Sequence, residues 1–163
     1  MSSDKMIPMT PACFDRLKQE LKQIKEHDRA ENVREIETAR EHGDLRENAE
    51  YHAAKERQAL LDGRMRYLEG RVGMAQVIDP ATVRETKVTF GATVTLHDVD
   101  NETEVVYRIV GEDESDANNG KISISAPIAR AMLGKKVGDE VVVKLPRGDR
   151  EYEVVKVEYK AIP

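Results

Sequence analysis

The chain has 163 residues, 39% of them hydrophobic and 35% charged, with a formal net charge of −5, as expected of a soluble protein with a large solvated surface, built as one domain or two small ones. Acidic and basic residues are spread over both halves, without the surplus of Lys and Arg that a free-standing duplex DNA binder presents to phosphates, so independent duplex DNA binding is not expected. No apolar run reaches membrane-spanning length and the start, Met-Ser-Ser-Asp-Lys, lacks the apolar core of a signal peptide, which predicts a cytoplasmic protein with no membrane partner.

Thr10-Pro11 reads as an N-cap followed by proline at the first helical position, and a helix is predicted from there to about His42. Phe14, Leu17, Leu21 and Ile24 recur every three or four residues, as do Leu61, Met65, Leu68, Val72 and Ala75 on a second predicted helix. Both sets are coiled-coil seams. Folded back antiparallel, they pair Leu17 with Val72, Leu21 with Leu68 and Ile24 with Met65, which centres the turn near Asp44 and Leu45. At about 1.5 Å per residue the stretch from Phe14 to Gly43 spans roughly 45 Å, longer than a small domain is wide. Ala39, Ala49, Ala53 and Ala54 replace larger residues near the turn and keep that end slender. Gly43 supplies a left-handed helix stop, and the second helix is expected to end near Ile78-Asp79-Pro80, with Asp79 to Lys87 as a linker. Cys13 has no internal partner and sits within the first helix, where a small buried hydrophobe is the expected role. His27, His42, His52 and His97 show no zinc-ligand spacing.

Beyond the linker the period changes to two. Val88, Phe90, Ala92, Val94 and Leu96 alternate with polar residues, and Glu104 to Val110 returns as a second strand after a polar turn. A flexible acidic loop is expected from Gly111 to Gly120, then a strand at Lys121 to Ser125 and a short helix from Pro127 that Gly134 ends. Strands at Glu140 to Leu145 and Glu151 to Tyr159 follow, with turns at Gly138-Asp139 and Gly148-Asp149. The predicted class is therefore α+β: an N-terminal antiparallel coiled-coil hairpin, residues 1–79, followed by a small, mostly antiparallel sheet domain with one short helix, residues 80–163.

The turn of the hairpin carries two acids, Asp44 and Glu47. One reading is a capping box, in which Asp44 and Glu47 satisfy the first amides of the second helix. The other is metal chemistry: side chains three apart at a helix start have Cβ atoms about 5–6 Å apart, close enough to share one cation. Two exposed carboxylates alone would bind a divalent ion only weakly.

The run His42-Gly43-Asp44-Leu45-Arg46-Glu47-Asn48-Ala49-Glu50-Tyr51-His52-Ala53-Ala54-Lys55-Glu56 resembles the tip signature of the bacterial GreA/GreB family of transcript cleavage factors. Phe90-Gly91-Ala92-Thr93-Val94, Tyr107 to Gly111, Ser125 to Ala131 and Gly134 to Asp139 extend the resemblance over nearly the whole chain. It implies an FKBP-like C-terminal domain that docks on bacterial RNA polymerase, and a coiled coil that passes down the polymerase's secondary channel. There the tip acids would help to cleave the 3′ end of backtracked nascent RNA. It implies no cofactor for the isolated protein, which is expected to be a monomer and an accessory factor, and Mg²⁺ shared with the polymerase through Asp44 and Glu47.

Gly43, Asn48 and Tyr51 fall within the matched tip; Tyr51 can stack on a base or pack on the opposite helix. Arg40 and Lys55 match a basic patch for RNA, and Arg46 stands beside the acids; as bare sequence they are also ordinary solvated charges. Ser125, Pro127 and Ile128 match docking positions and equally read as strand end, helix start and core. Prolyl isomerase activity is not expected despite the FKBP-like fold, because the chain has no Trp and only two Phe. An inhibitory channel-binding paralogue and a coiled-coil adaptor or isomerase-type chaperone are the alternatives; the presence of both Asp44 and Glu47 argues against the first.

Overall fold

The computed structural model describes residues 5–43 and 48–163, which fall into two compact units: Phe14–Met74, and the residues up to Cys13 together with Ala75–Pro163. This division differs from the expected one at 79/80. Strand β1 (Ile7–Met9) lies parallel to β2 (Ala75–Val77), with Ile7 opposite Ala75 and Met9 opposite Val77, and the Ile78 amide donates to the Met9 carbonyl at 2.9 Å. The chain before the first helix thus belongs with the chain after the last. Ala75, placed on the helical seam by spacing, is a strand residue instead. Gly70 and Gly73 weaken the end of the helix, and backbone pairing with β1 takes over.

The helical unit comprises most of α1 (Pro11–Gln23), a π-helical turn at Ile24–Asp28, α2 (Arg29–Arg40) and α3 (Ala49–Gly73). Thr10 caps α1 as expected, its Oγ1 accepting from the Cys13 amide at 3.3 Å, and Cys13 is buried. On the outgoing side Leu17, Ile24, Asn32, Ile36 and Ala39 are buried and Leu21 is half-buried. Eight residues separate Ile24 from Asn32, where an unbroken heptad places seven. The π turn takes up the surplus: the Arg29 amide donates to the Ile24 carbonyl five residues back, one more than in an α-helix. On the returning side Tyr51, Ala54, Gln58, Leu61, Met65, Leu68 and Val72 keep a regular three-four spacing, all at least half-buried. Asn32 donates to the Ala54 carbonyl at 2.9 Å. Arg64 makes a two-point contact with Glu20 at 2.6 and 2.9 Å, and hydrogen bonding from Arg64 holds the Glu20 carboxyl below its usual range.

Deleting the exposed His27 removes the surplus residue and should leave the thermal unfolding midpoint unchanged or higher. Deleting the exposed Glu56 shifts Ala54 and Tyr51 off the seam of α3 and should cost roughly 2–4 kcal/mol. Circular dichroism melts of the two variants compare them directly, and the reverse order would contradict this account of the π turn.

In the second unit five strands run in the order β5 (Lys121–Ser123), β4 (Thr103–Val110), β3 (Ala92–Asp98), β7 (Gly148–Tyr159), β6 (Glu140–Leu145). All neighbours are antiparallel except β4 and β5. One face carries Val94, Leu96, Ile109, Val141 and Val154, and Ala129 and Met132 of α4 (Pro127–Met132) join them in a single apolar core. Val88 and Phe90 are buried but precede the strand, because Gly91 turns the chain at φ +88°. The acidic segment 111–120, expected to be flexible, contains two 3-10 turns and a buried Glu114. The Glu114 carboxylate accepts from the Thr10 amide at 3.0 Å, the Thr10 hydroxyl at 2.5 Å and the Gly111 amide at 3.2 Å. The N-terminal segment passes so close that a Cβ on Gly111 would meet the Pro8 carbonyl oxygen at 2.5 Å. Glu114→Ala strands three buried donors and should destabilise this unit by about 3 kcal/mol, measured by denaturant unfolding, with Glu114→Gln costing less because one oxygen remains an acceptor.

Candidate functional site

The turn end of the hairpin is built by the last residues of α2 and the first of α3. Helix α2 closes with a tightened turn, in which the His42 amide donates to the Ala39 carbonyl at 3.2 Å and the Gly43 amide to the Arg40 carbonyl at 3.4 Å. Gly43 then takes φ +103°, the left-handed stop that the sequence predicts. Asp44, Arg46 and Glu47 lie outside the described residues.

The expected capping box is replaced. Helix α3 begins at Ala49, and its N-cap is Asn48, whose side chain accepts from the Tyr51 amide at 3.0 Å. Asp44 and Glu47 precede this cap in the chain. The same Asn48 side chain donates to the Ala39 carbonyl of α2. One amide group joins the two helices. A second crossing pairs His42 Nε2 with Glu50 Oε2 at 3.7 Å.

Tyr51 is half-buried, with the Arg40 guanidinium 6.0 Å from its ring centroid and the His52 ring edge-on at 5.8 Å. It packs against the opposite helix. Arg40 and Lys55 are both exposed. Lys55 donates to the neutral Gln58 side chain at 2.8 Å. Arg57, by contrast, is ion-paired with both Glu31 and Glu35. Small residues leave an open groove on this part of the arm, where Ala39, Ala53 and Ala54 lie among side chains of both signs, Glu31, Glu35 and Glu50 with Arg34 and Arg57.

Among the described residues no three His, Cys, Asp or Glu side chains come together as a metal site. A donor set from this tip rests on Asp44 and Glu47, two carboxylates of the type magnesium accepts and fewer than it requires. In the sheet unit Ser125 and Pro127 are exposed at the start of α4, and Ile128 is half-buried against the core. Ser125 shares a 2.8 Å hydrogen bond with Ser123. Sequence reasoning missed the cross-helix bond of Asn48, although Asn directly before a run of helix formers is a cap signal. It also missed Glu114, whose burial has no local signature in an acidic segment.

A two-helix hairpin whose helices are joined across Asn48 and Ala39, in a chain with a separate five-stranded unit, defines a class of two-part proteins. Residues 7–77 match the family model described as transcription elongation factor, N-terminal, and residues 83–159 match that of transcription elongation factor, GreA/GreB, C-term. The transcription elongation factor GreA of Hyphomonas neptunium is 53% identical over 154 residues, 94% of this chain and 98% of that one. Its counterpart from Halorhodospira halophila is 51% identical over 155 residues, again 94% and 98% of the two chains. Among solved structures, GreA factor homolog 1 of Thermus thermophilus aligns over 94% of this chain and 99% of its own, at 26% identity and a TM-score of 0.43. The chain belongs to the GreA/GreB family of transcription elongation factors.

Proposed function

We propose that this chain is a transcript cleavage factor: its sheet unit docks on RNA polymerase, and its helical arm enters the secondary channel to bring Asp44 and Glu47 to the polymerase active site. The observation that carries this reading is the tied tip, where Gly43 and Asn48 bracket both acids at the narrow end of a two-helix arm. Family membership supports the polymerase as partner. The reaction belongs to the polymerase, and the chain acts as an accessory.

In this reading Asp44 and Glu47 complete the oxygen set of a second Mg²⁺ whose other ligands come from the polymerase and the RNA. When bound, such an ion supplies a more acidic water and neutralises charge on the leaving oxygen. One of the two carboxylates also orients the attacking water. Arg40 and Lys55, with Arg46 beside the acids, attract the phosphates of the displaced 3′ segment of the nascent RNA. Ser125, Pro127 and Ile128 are the proposed docking positions at the channel rim, with Ser125 and Pro127 offering the exposed surface.

Asp44→Asn or Glu47→Gln should lower the stimulated cleavage of backtracked complexes by at least about a hundredfold. Helix content should stay intact. Gel analysis of 3′-end shortening in halted complexes measures this, and full cleavage by either variant would refute the reading. Repression of polymerase without RNA shortening by the unaltered chain would point instead to an inhibitory role. Lys55→Gln and Arg40→Gln should reduce cleavage to a smaller extent, with a deficit that shrinks as salt rises, because their contribution is attraction to phosphate. A salt-independent deficit in the same assay would count against RNA contact.

A further inference from the structure

The loop that leads from β4 into β5 ends in Asn119-Gly120, the one Asn-Gly pair in the sequence. Asp116 and Lys121 close its last part with two backbone bonds, the Asp116 amide donating to the Lys121 carbonyl at 2.8 Å and the Lys121 amide to the Asp116 carbonyl at 2.9 Å. Between them Ala117–Asn119 make a 3-10 turn, and Gly120 reverses the chain at φ +71°. Glycine is required there on two counts: the left-handed backbone strains other residues, and a Cβ would meet the Val106 carbonyl oxygen at 2.8 Å. The Asn119 side chain steadies the same turn, its Nδ2 donating to Asp116 Oδ2 at 2.6 Å. The fold thus selects both residues, and their adjacency has a chemical consequence.

We propose that Asn119 is a site of spontaneous deamidation and that its isoaspartyl product loosens β5. Asparagine is thermolabile because its side-chain amide carbon and the backbone nitrogen of the next residue can close a five-membered ring. The Gly120 nitrogen gives its proton to solvent base and bonds to Asn119 Cγ; the Cγ–Nδ2 bond breaks and ammonia leaves. Water then opens the succinimide. Opening at Cγ yields aspartate, and opening at the main-chain carbonyl yields isoaspartate, in which the chain runs through Cβ and Cγ. Amide and water become acid and ammonia, with no change of oxidation state. A Cβ on the following residue hinders the attack, and glycine has none.

The other asparagines are obstructed. Asn32 is buried, its amide donates to the Ala54 carbonyl, and the β-branched Val33 follows it. Asn48 caps α3 and Asn101 is bound to Asp98 through main chain and side chain, with Ala49 and Glu102 next in sequence. Asn118 precedes Asn119. Asn119 alone combines exposure with a following glycine. Besides its own bond to Asp116, the restraint on the pair is the Gly120 amide bond to the Ala117 carbonyl at 3.1 Å, within a three-residue 3-10 turn. Such short surface turns open without global unfolding.

Isoaspartate lengthens the main chain inside a loop closed by two bonds. It also sets a carboxylate against Asp116 where a donor stood. The adjoining Gly120 carbonyl accepts from the Arg108 amide at 2.8 Å, at the start of the parallel pairing of β4 with β5. Strand β5 has three residues and lies at the edge of the sheet, so that bond is a large part of its attachment.

Ageing the full chain in warm, mildly alkaline buffer, followed by tryptic mapping with mass spectrometry, tests the site; fresh protein taken through the same digestion sets the background. Peptide 109–121 carries both Asn118 and Asn119, and fragmentation separates them. Asn119 should react first, with a product that an isoaspartate-specific methyltransferase labels from S-adenosylmethionine. Asn119→Gln, which would have to close a larger ring, should lose this early product. In the isoaspartyl fraction from ion exchange, the Arg108 amide should exchange with solvent faster than in fresh protein. Earlier reaction at Asn101 or Asn118, or reaction of Asn119 only in denaturant, would overturn the site. Unchanged exchange at Arg108 in the modified chain would overturn its effect on β5.

Discussion

The arm depends on two helices staying in register along their whole length. Each residue advances an α-helix by about 100°, so one surplus residue past Ile24 would turn Asn32, Ile36 and Ala39 away from α3. The π turn at Ile24–Asp28 takes up that residue locally and returns the far half of α2 to the seam. What reaches the tip is therefore set many residues earlier: the Ala39 carbonyl faces Asn48 only because the turn has corrected the phase. Helix irregularities of this kind have identifiable causes, and here the cause is a count of residues between two apolar stretches.

Different forces hold the two ends of the arm. Near its base Leu17, Ile24 and Leu68 are buried, and burial of such side chains stabilises by about 1.5–3 kcal/mol each. The exposed ion pairs, Lys25 with Glu69 and Arg29 with Asp62, contribute at most about 1 kcal/mol each. Toward the tip the seam narrows to Ala39 and Ala54, and apolar burial falls with it. Polar ties replace it there: Asn32 to the Ala54 carbonyl, then Asn48 to the Ala39 carbonyl. A buried Asn in a helical seam favours one register over its neighbours at a cost in stability. The far end of the seam is thin and still fixed in register.

Periodicity made the arm, its antiparallel pairing and the strands from β4 onward legible in the sequence. Leu17, Ile24 and Leu68 are buried as their spacing requires, and Gly43 stops α2 where it should. The end of the second helix, expected near Ile78, was missed at β2, because three-residue strands carry no period and the pairing of β1 with β2 is a contact between distant parts of the chain. Val88 and Phe90 fit a strand pattern but are separated from β3 by a glycine at positive φ, so burial was read correctly and conformation was not. Glu114 was hidden for a different reason. Among acidic neighbours nothing local distinguishes the one carboxylate that three distant or turn-forming donors will surround. At the tip the motif was visible, but the helix start was displaced by the capping signal of Asp44 and Glu47; Asn48 won because its single side chain satisfies a donor on one helix and an acceptor on the other.

On the proposed reading, placement is this chain's contribution to catalysis. Two carboxylates in water bind magnesium too weakly to assemble a reactive site, and an arm that carried a complete ligand set would hydrolyse RNA wherever it met it. An incomplete set is active only where another protein supplies the missing ligands, so selectivity comes from incompleteness. That arrangement puts severe demands on geometry, since a displacement of about 1 Å can cost a hundredfold in rate. Where the seam narrows to Ala39 and Ala54, directional bonds from Asn32 and Asn48 join the two helices.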